Sequence, residues 1–343
     1  MQCGTVDLLG TASLGTVKLP VGRVDTYEPI DLPYFSPQED RDSLLSKIDR
    51  IWRSEDLFNG EIRLENYIAD LESYLRLTKG EDLKIPRDKR NLFIDKILSL
   101  DFHPDLSLLE KAILMTQALE LALLGIDTTS VLERIENNRI KRSPKYQDNT
   151  LGHREEVLAG WYFAKFIYPK GKTINQSIEM LSCSFDGKKA NKRKEVDIAT
   201  EDSLVSVKID RHASIAKQIT DLFFILLFSP QRSQIKKIIL IQGGFSENEQ
   251  KSFKSKTSSI ITSAQKQIFE GLNCPRIHEK LFNDLQIEFY FIPQANNPIQ
   301  IRAWIKEQYE KSNPNERTQA HSVFPGIRPH WIVCQPGYTK VAC

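Results

Sequence analysis

The chain has little of several things that would announce a function. Its five cysteines (Cys3, Cys183, Cys274, Cys334 and Cys343) are scattered through 343 residues and odd in number. That excludes a disulfide scaffold and fits a reducing, cytoplasmic setting. The longest fully apolar run, Leu222 to Phe228, is seven residues, against the roughly 20 needed to cross a bilayer, so no membrane partner is expected. The first twenty residues mix Asp7 with glycine and serine and hold no continuous apolar core, so no secretory signal is expected either. Charge of one sign is also lacking. Lys and Arg number 47 against 45 Asp and Glu, a net +2, so no global basic field points to nucleic acid and local clusters must make that case.

Familiar motifs are missing too. There is no GxxxxGK[ST], no GxGxxG after a strand, no HExxH and no GxSxG. Gly243-Gly244 is a lone pair and reads as a turn. His321, His330, Cys334 and Cys343 in the tail lack a CxxC or HxxxH spacing, so a tail that packs down is the better reading than a zinc site.

What is present is a normal globular composition, 40% hydrophobic and 27% charged, with length for two domains or one elaborated one. Residues 1 to about 36 read as an irregular or β-hairpin arm rich in proline. From Arg41 to Asn137 the pattern is helical. Leu44, Leu45, Ile48, Ile51 and Trp52 recur at helical spacing, as do Leu64, Tyr67, Ile68, Leu71 and Leu75. Ser107 with Glu110 forms a capping box before a helix ending at Gly125, and Ser130 with Glu133 repeats the signature. Residues 138–150 read as a basic linker. The second half then alternates: a helix over 153–167, strands over 178–185, 196–199 and 204–209, a helix through Asp221, strands over 236–242 and 285–292, and helices over 247–270 and 299–310. That order predicts an α/β fold, a mixed sheet with helices on both faces. The expected domains are an arm plus helical region (1–145), an α/β core (146–311) and a tail (312–343).

The chain is organised around residues 195–221, read as strand, tight turn, strand, loop, helix. A two-residue turn at Glu201-Asp202 sets Thr200 opposite Ser203 and Asp197 opposite Ser206. Ser206 and Lys208 share a face, and cross-strand partners lie about 5 Å apart, so a carboxylate and an ammonium converge on one patch. Asp221 follows on the next helix, beside an apolar run, where a carboxylate is costly unless paired or metal-bound. Plainer roles exist for each residue: a cross-strand ion pair for Asp197 and Lys208, a salt bridge to Lys217 for Asp221, and a helix-dipole acid for Glu155 or Glu156.

These residues and this order of elements resemble the PD-(D/E)xK nucleases, which include many restriction endonucleases, resolvases and repair nucleases. The usual pattern has an acid two residues before the lysine and a proline before the first aspartate; here those positions are Ser206 and Val196. The match is to the branch in which the second acid is displaced onto the following helix. Its pattern of serine, any residue, lysine, then an acid 13 or 14 positions on is met by Ser206-Val207-Lys208 and Asp221. The resemblance covers about residues 150 to 310. It implies a Mg²⁺-dependent hydrolase of DNA phosphodiesters, most of that branch being type II restriction enzymes, acting on double-stranded DNA as at least a homodimer. It implies Asp197, Asp221 and the Val207 carbonyl as metal ligands, and Asp197, Ser206 and Lys208 as the catalytic group. Glu156 matches the further acid many members carry on the first core helix, with Glu155 left open. The loop residues Lys188, Lys189, Lys192, Arg193 and Lys194 either contact phosphates or form a solvated loop. A repair, mobile-element or phage-defence nuclease and a catalytically silent α/β binding module are the alternatives.

Overall fold

In a computed structural model, the described residues are 41–141, 144–168, 173–182, 193–209, 214–228, 233–271, 274, 276–312 and 332–334. The expected N-terminal arm, most of the tail, and Lys188, Lys189 and Lys192 fall outside them. Arg193 and Lys194 open a strand.

The N-terminal part is a stack of amphipathic helices: α1 (Arg41–Arg53), the short α2 (Asp56–Asn59), α3 (Leu64–Thr78), α4 (Arg87–Leu100), α5 (Leu108–Leu124) and α6 (Thr129–Lys141). The Ser107–Glu110 capping box is formed, and Gly125 ends α5 in the left-handed conformation at φ 92° with its N–H on the Ala122 and Leu121 carbonyls. The second expected box is not the start of α6. The helix opens one residue earlier, and Asp127 Oδ1 accepts the Thr129 N–H at 2.9 Å. Over 138–150, where a linker is expected, the described residues are helical: α6 runs through Lys141, and α7 begins at Pro144 and continues to Tyr162. Proline is tolerated there because the first helical position needs no N–H. A π-helical turn, Phe163–Ile167, extends α7.

The sheet has six strands in sequence order: β1 (Thr173–Ser182), β2 (Arg193–Thr200), β3 (Ser203–Lys208), β4 (Lys237–Gly243), β5 (Gln286–Ile292) and β6 (Ile332–Cys334). β3, β4 and β5 are parallel, and β1, β2 and β6 join antiparallel. The parallel strands are linked by α8 (Ile215–Phe228) and by α9 (Glu247–Lys266) with the short α10 (Glu279–Asn283). The final helix α11 spans Pro298–Ser312. The expected mixed α/β sheet with a helical N-terminal region is what the chain forms.

Side-chain alternation splits the sheet between two cores. Leu204, Ile238, Leu240, Ile287 and Phe289 pack with α8, α9 and α10 on one face. Ile198, Val205, Val207, Ile239, Ile241, Tyr290 and Ile292 pack on the other with α7, α11 and the N-terminal helices. That second core runs without a break from Leu44 through Leu121 and Trp161 to the sheet. That core therefore draws residues from both sides of the boundary expected at 145. Among the described residues, no helix is long and apolar enough to cross a membrane.

Candidate functional site

The β2–β3 hairpin closes through Glu201 and Asp202. Asp202 Oδ1 accepts from the Thr200 hydroxyl at 3.1 Å and the Ser203 hydroxyl at 2.7 Å, which pins the turn. Ile198 pairs with Val205 and Ala199 with Leu204. The same register carried one residue further sets Asp197 opposite Ser206, the arrangement expected from the turn length.

Both neighbours of β2 are irregular at Asp197. On the β1 side the register slips between Gln176–Ile198 and Glu179–Val196, so residues 177 and 178 oppose Asp197 alone. This is a β-bulge, which re-aims side chains and is common beside functional sites. On the β3 side, Asp197 Oδ2 accepts the Val207 N–H at 2.6 Å. A side-chain carboxylate stands where a ladder carbonyl would bond. Alternation breaks here as well: Val196 packs into the α8-side core although Ile198 belongs to the opposite one. Asp197 is 7% exposed and Ser206 8%, so the carboxylate is largely withdrawn from bulk water while Lys208, at the end of β3, is exposed.

On α8 the positions that are not buried are Ile215, Lys217, Asp221, Phe224 and Phe228. Gln218 reaches the end of the sheet, its Oε1 accepting from Gln242 Nε2 at 3.4 Å. Asp221, three residues on, is about 60° round the helix from Gln218.

The two glutamates of α7 are resolved by their surroundings. Glu156 turns to His153, with Oε1 3.5 Å from Nδ1. Glu155 is fully buried and turns to the carboxyl ends of the parallel strands. Its Oε2 accepts the Ala295 N–H at 2.7 Å. Its carboxyl also packs directly over Gly243 at the end of β4, so a Cβ at Gly243 would sit 2.6 Å from Glu155 Cδ and 2.9 Å from Ile209 Cγ2. Gly243 is thus a close-approach glycine, while Gly244, at φ 75°, makes the expected turn. Neighbouring Arg154 clamps the same corner, donating to Glu110 Oε1 at 2.7 Å and to the Ala295 carbonyl at 2.9 Å.

Burial pushes the Glu155 carboxyl up to about 8, against the Ala295 N–H and Arg154, which lower it. The group is therefore neutral at pH 7. Because its folded value is raised, the stability it contributes is fully present below about 4.5 and lost as pH climbs toward 8. Glu155→Gln, which mimics the neutral acid, is expected to cost little at pH 5. Between pH 5 and 9 its unfolding free energy should gain on that of the native chain by roughly 3–5 kcal/mol. Urea unfolding across that range checks this, and parallel pH curves for the two proteins would contradict it.

Among the described residues, no three His, Cys, Asp or Glu side chains converge as a metal cage. Mg²⁺ asks for less, one or two carboxylates with the rest water and phosphate oxygen. The hairpin has hard oxygen donors of that kind in the Asp197 carboxylate and the adjacent Val207 backbone, so the donor chemistry fits. The structure bonds the Asp197 carboxylate to Val207, which Ser206 and Lys208 flank on β3, and turns Glu155 rather than Glu156 to the strand ends. The burial of Gln242 and the close approach at Gly243 carry no spacing signal in the sequence, which reads them as strand end and turn. No protein-family model, curated protein or solved structure matches the chain.

Proposed function

We propose that the chain is a Mg²⁺-dependent DNA endonuclease, acting on double-stranded DNA as a type II restriction enzyme and homodimer. The observation that carries this reading is the Asp197 carboxylate locked onto the Val207 amide, at a β-bulge and beside Ser206 and Lys208. Bulged backbone and a nearly buried carboxylate next to an exposed lysine are poorly explained by a surface ion pair, which forms between exposed groups and contributes little.

Asp197, Asp221 and the Val207 carbonyl would hold the ion, which when bound polarises a phosphate oxygen and acidifies water. Lys208 supplies a cation for charge developing on the phosphate, or orients the attacking water. The bond between Asp197 and Val207 fixes the carboxylate before substrate arrives, so no reorganisation is needed at the moment of reaction. Two such sites in a two-fold dimer suit cleavage of both strands of a symmetric sequence.

The test is digestion of a sequenced phage genome with and without Mg²⁺. Discrete fragments only with the ion support the reading. Nicking or structure-selective cutting favours a repair or mobile-element nuclease, and no cleavage with no Mg²⁺ binding leaves a silent α/β binding module. Asp221→Asn, which removes the second carboxylate, is expected to lower cleavage by roughly 100-fold or more. Full activity in single-turnover assays would instead push the second ligand elsewhere.

A further inference from the structure

Lys208 and Gln242 are in-register neighbours on the parallel strands β3 and β4. Their side chains leave the sheet on the face that α8 covers, as Leu204 and Ile238 do two pairs earlier. Gln242 is fully buried at 0% exposure, unusual for a glutamine at a strand end. Its Nε2 donates to Gln218 Oε1, while Gln242 Oε1 and Gln218 Nε2 have no hydrogen-bond partner among the described residues. Lys208 likewise makes no hydrogen bond or ion pair with another described residue.

A buried acceptor without a partner is costly, and an ammonium with three donors stands on the adjacent strand. With Gln242 Nε2 committed to Gln218, the atom of Gln242 left free among the described residues is its acceptor Oε1, on the strand adjacent to Lys208. We infer that Gln242 is a positioning residue for Lys208, its amide braced from behind by Gln218 and receiving the ammonium when the lysine folds in over the sheet end. The inference deepens the nuclease reading and rests on it for its consequence. The contact itself is a property of the chain alone.

Three variants test it in the full-length protein: Gln242→Met, which keeps shape and removes the acceptor; Gln242→Glu, which restores an acceptor; and Gln218→Met, which removes the brace. The first readout needs no activity. Acylation of Lys208 by a limiting amine-reactive ester, followed by peptide mass spectrometry without metal, should run roughly three- to tenfold faster in Gln242→Met, as for loss of one charge-assisted hydrogen bond. It should return toward the native rate in Gln242→Glu and lie between in Gln218→Met. The second readout is cleavage. Gln242→Met should lower kcat by roughly 10–100-fold with the Kd for DNA unchanged, and Gln242→Glu should recover most of it. Unchanged Lys208 labelling in a folded Gln242→Met protein overturns the inference, as does a Gln242→Glu variant no better than Gln242→Met in either readout. If the native chain cuts no DNA, the nuclease reading falls, while the labelling result still decides the contact.

Discussion

Asp197→Ala should abolish phosphodiester cleavage, with a loss on the order of 10³-fold or more in single-turnover rate. The carboxylate is the one acid that the hairpin holds in a fixed place beside Ser206 and Lys208. Alanine removes both the oxygen donor for a cation and the acceptor for the Val207 N–H. Loss of the second costs about 1–3 kcal/mol of stability, since that N–H is buried. Asp197→Asn is therefore the sharper control, because its amide oxygen still accepts from Val207 while the charge is gone. It should match the alanine variant in lost activity, keep near-native stability and still bind DNA. An Asp197→Asn protein that cuts at the native rate would remove Asp197 from the chemistry and with it the reading of the site.

The largest effect on stability is expected at Glu120, far from the hairpin. Glu120 is buried on α5, and its Oε2 accepts from Trp52 Nε1 at 2.6 Å and Trp161 Nε1 at 2.8 Å. Its Oε1 bonds Lys165, which also bonds Asp49 and lies 5.5 Å from the Trp161 ring centre. Tyr309 closes the group with a 3.0 Å bond to Asp49. Burial pushes the Glu120 carboxyl up, and Lys165 and Trp52 pull it down. Burial lowers Lys165, but Glu120, Tyr309 and Asp49 together raise it. Glu120→Ala leaves two buried indole donors without their acceptor and the Lys165 ammonium with Asp49 alone. Breaking a buried pair by deleting one partner costs roughly 3–5 kcal/mol, a large part of the roughly 5–15 kcal/mol that holds a typical native protein together. Glu120→Gln keeps an acceptor for the tryptophans and should lose less. Urea unfolding measures both, and a loss under about 1 kcal/mol for the alanine variant would mean the network is not what joins these helices. The network links α1, α5, the end of α7 and α11. Its loss should therefore loosen the helical region and the sheet in one transition, in keeping with their shared core.

Local chemistry was legible in the sequence. The Ser107–Glu110 box and the Gly125 stop depend on contacts three or four residues apart, and both form as read. The hairpin register follows from a two-residue turn, so the pairing of Ala199 with Leu204 and Ile198 with Val205 could be placed by counting. The run KKIILIQ is a strand because an all-apolar, β-branched segment suits a sheet buried on both faces. Residues 138–150 were misread because their polar, proline-bearing composition resembles a linker, whereas the buried faces of α6 and α7 supply a stabilisation that local composition does not show.

By itself the sequence determined the alternation of strands and helices in the second half, the mixed sheet and the β2–β3 hairpin. Each rests on a period or a turn length carried by neighbouring residues. Only the tertiary structure decided which of Glu155 and Glu156 meets the strand ends, that Gln218 reaches Gln242, and that one core joins both halves. Those outcomes depend on how a helix is rotated against the sheet. A rotation of about 100° exchanges adjacent residues, and it is set by the packing of side chains far apart in the chain.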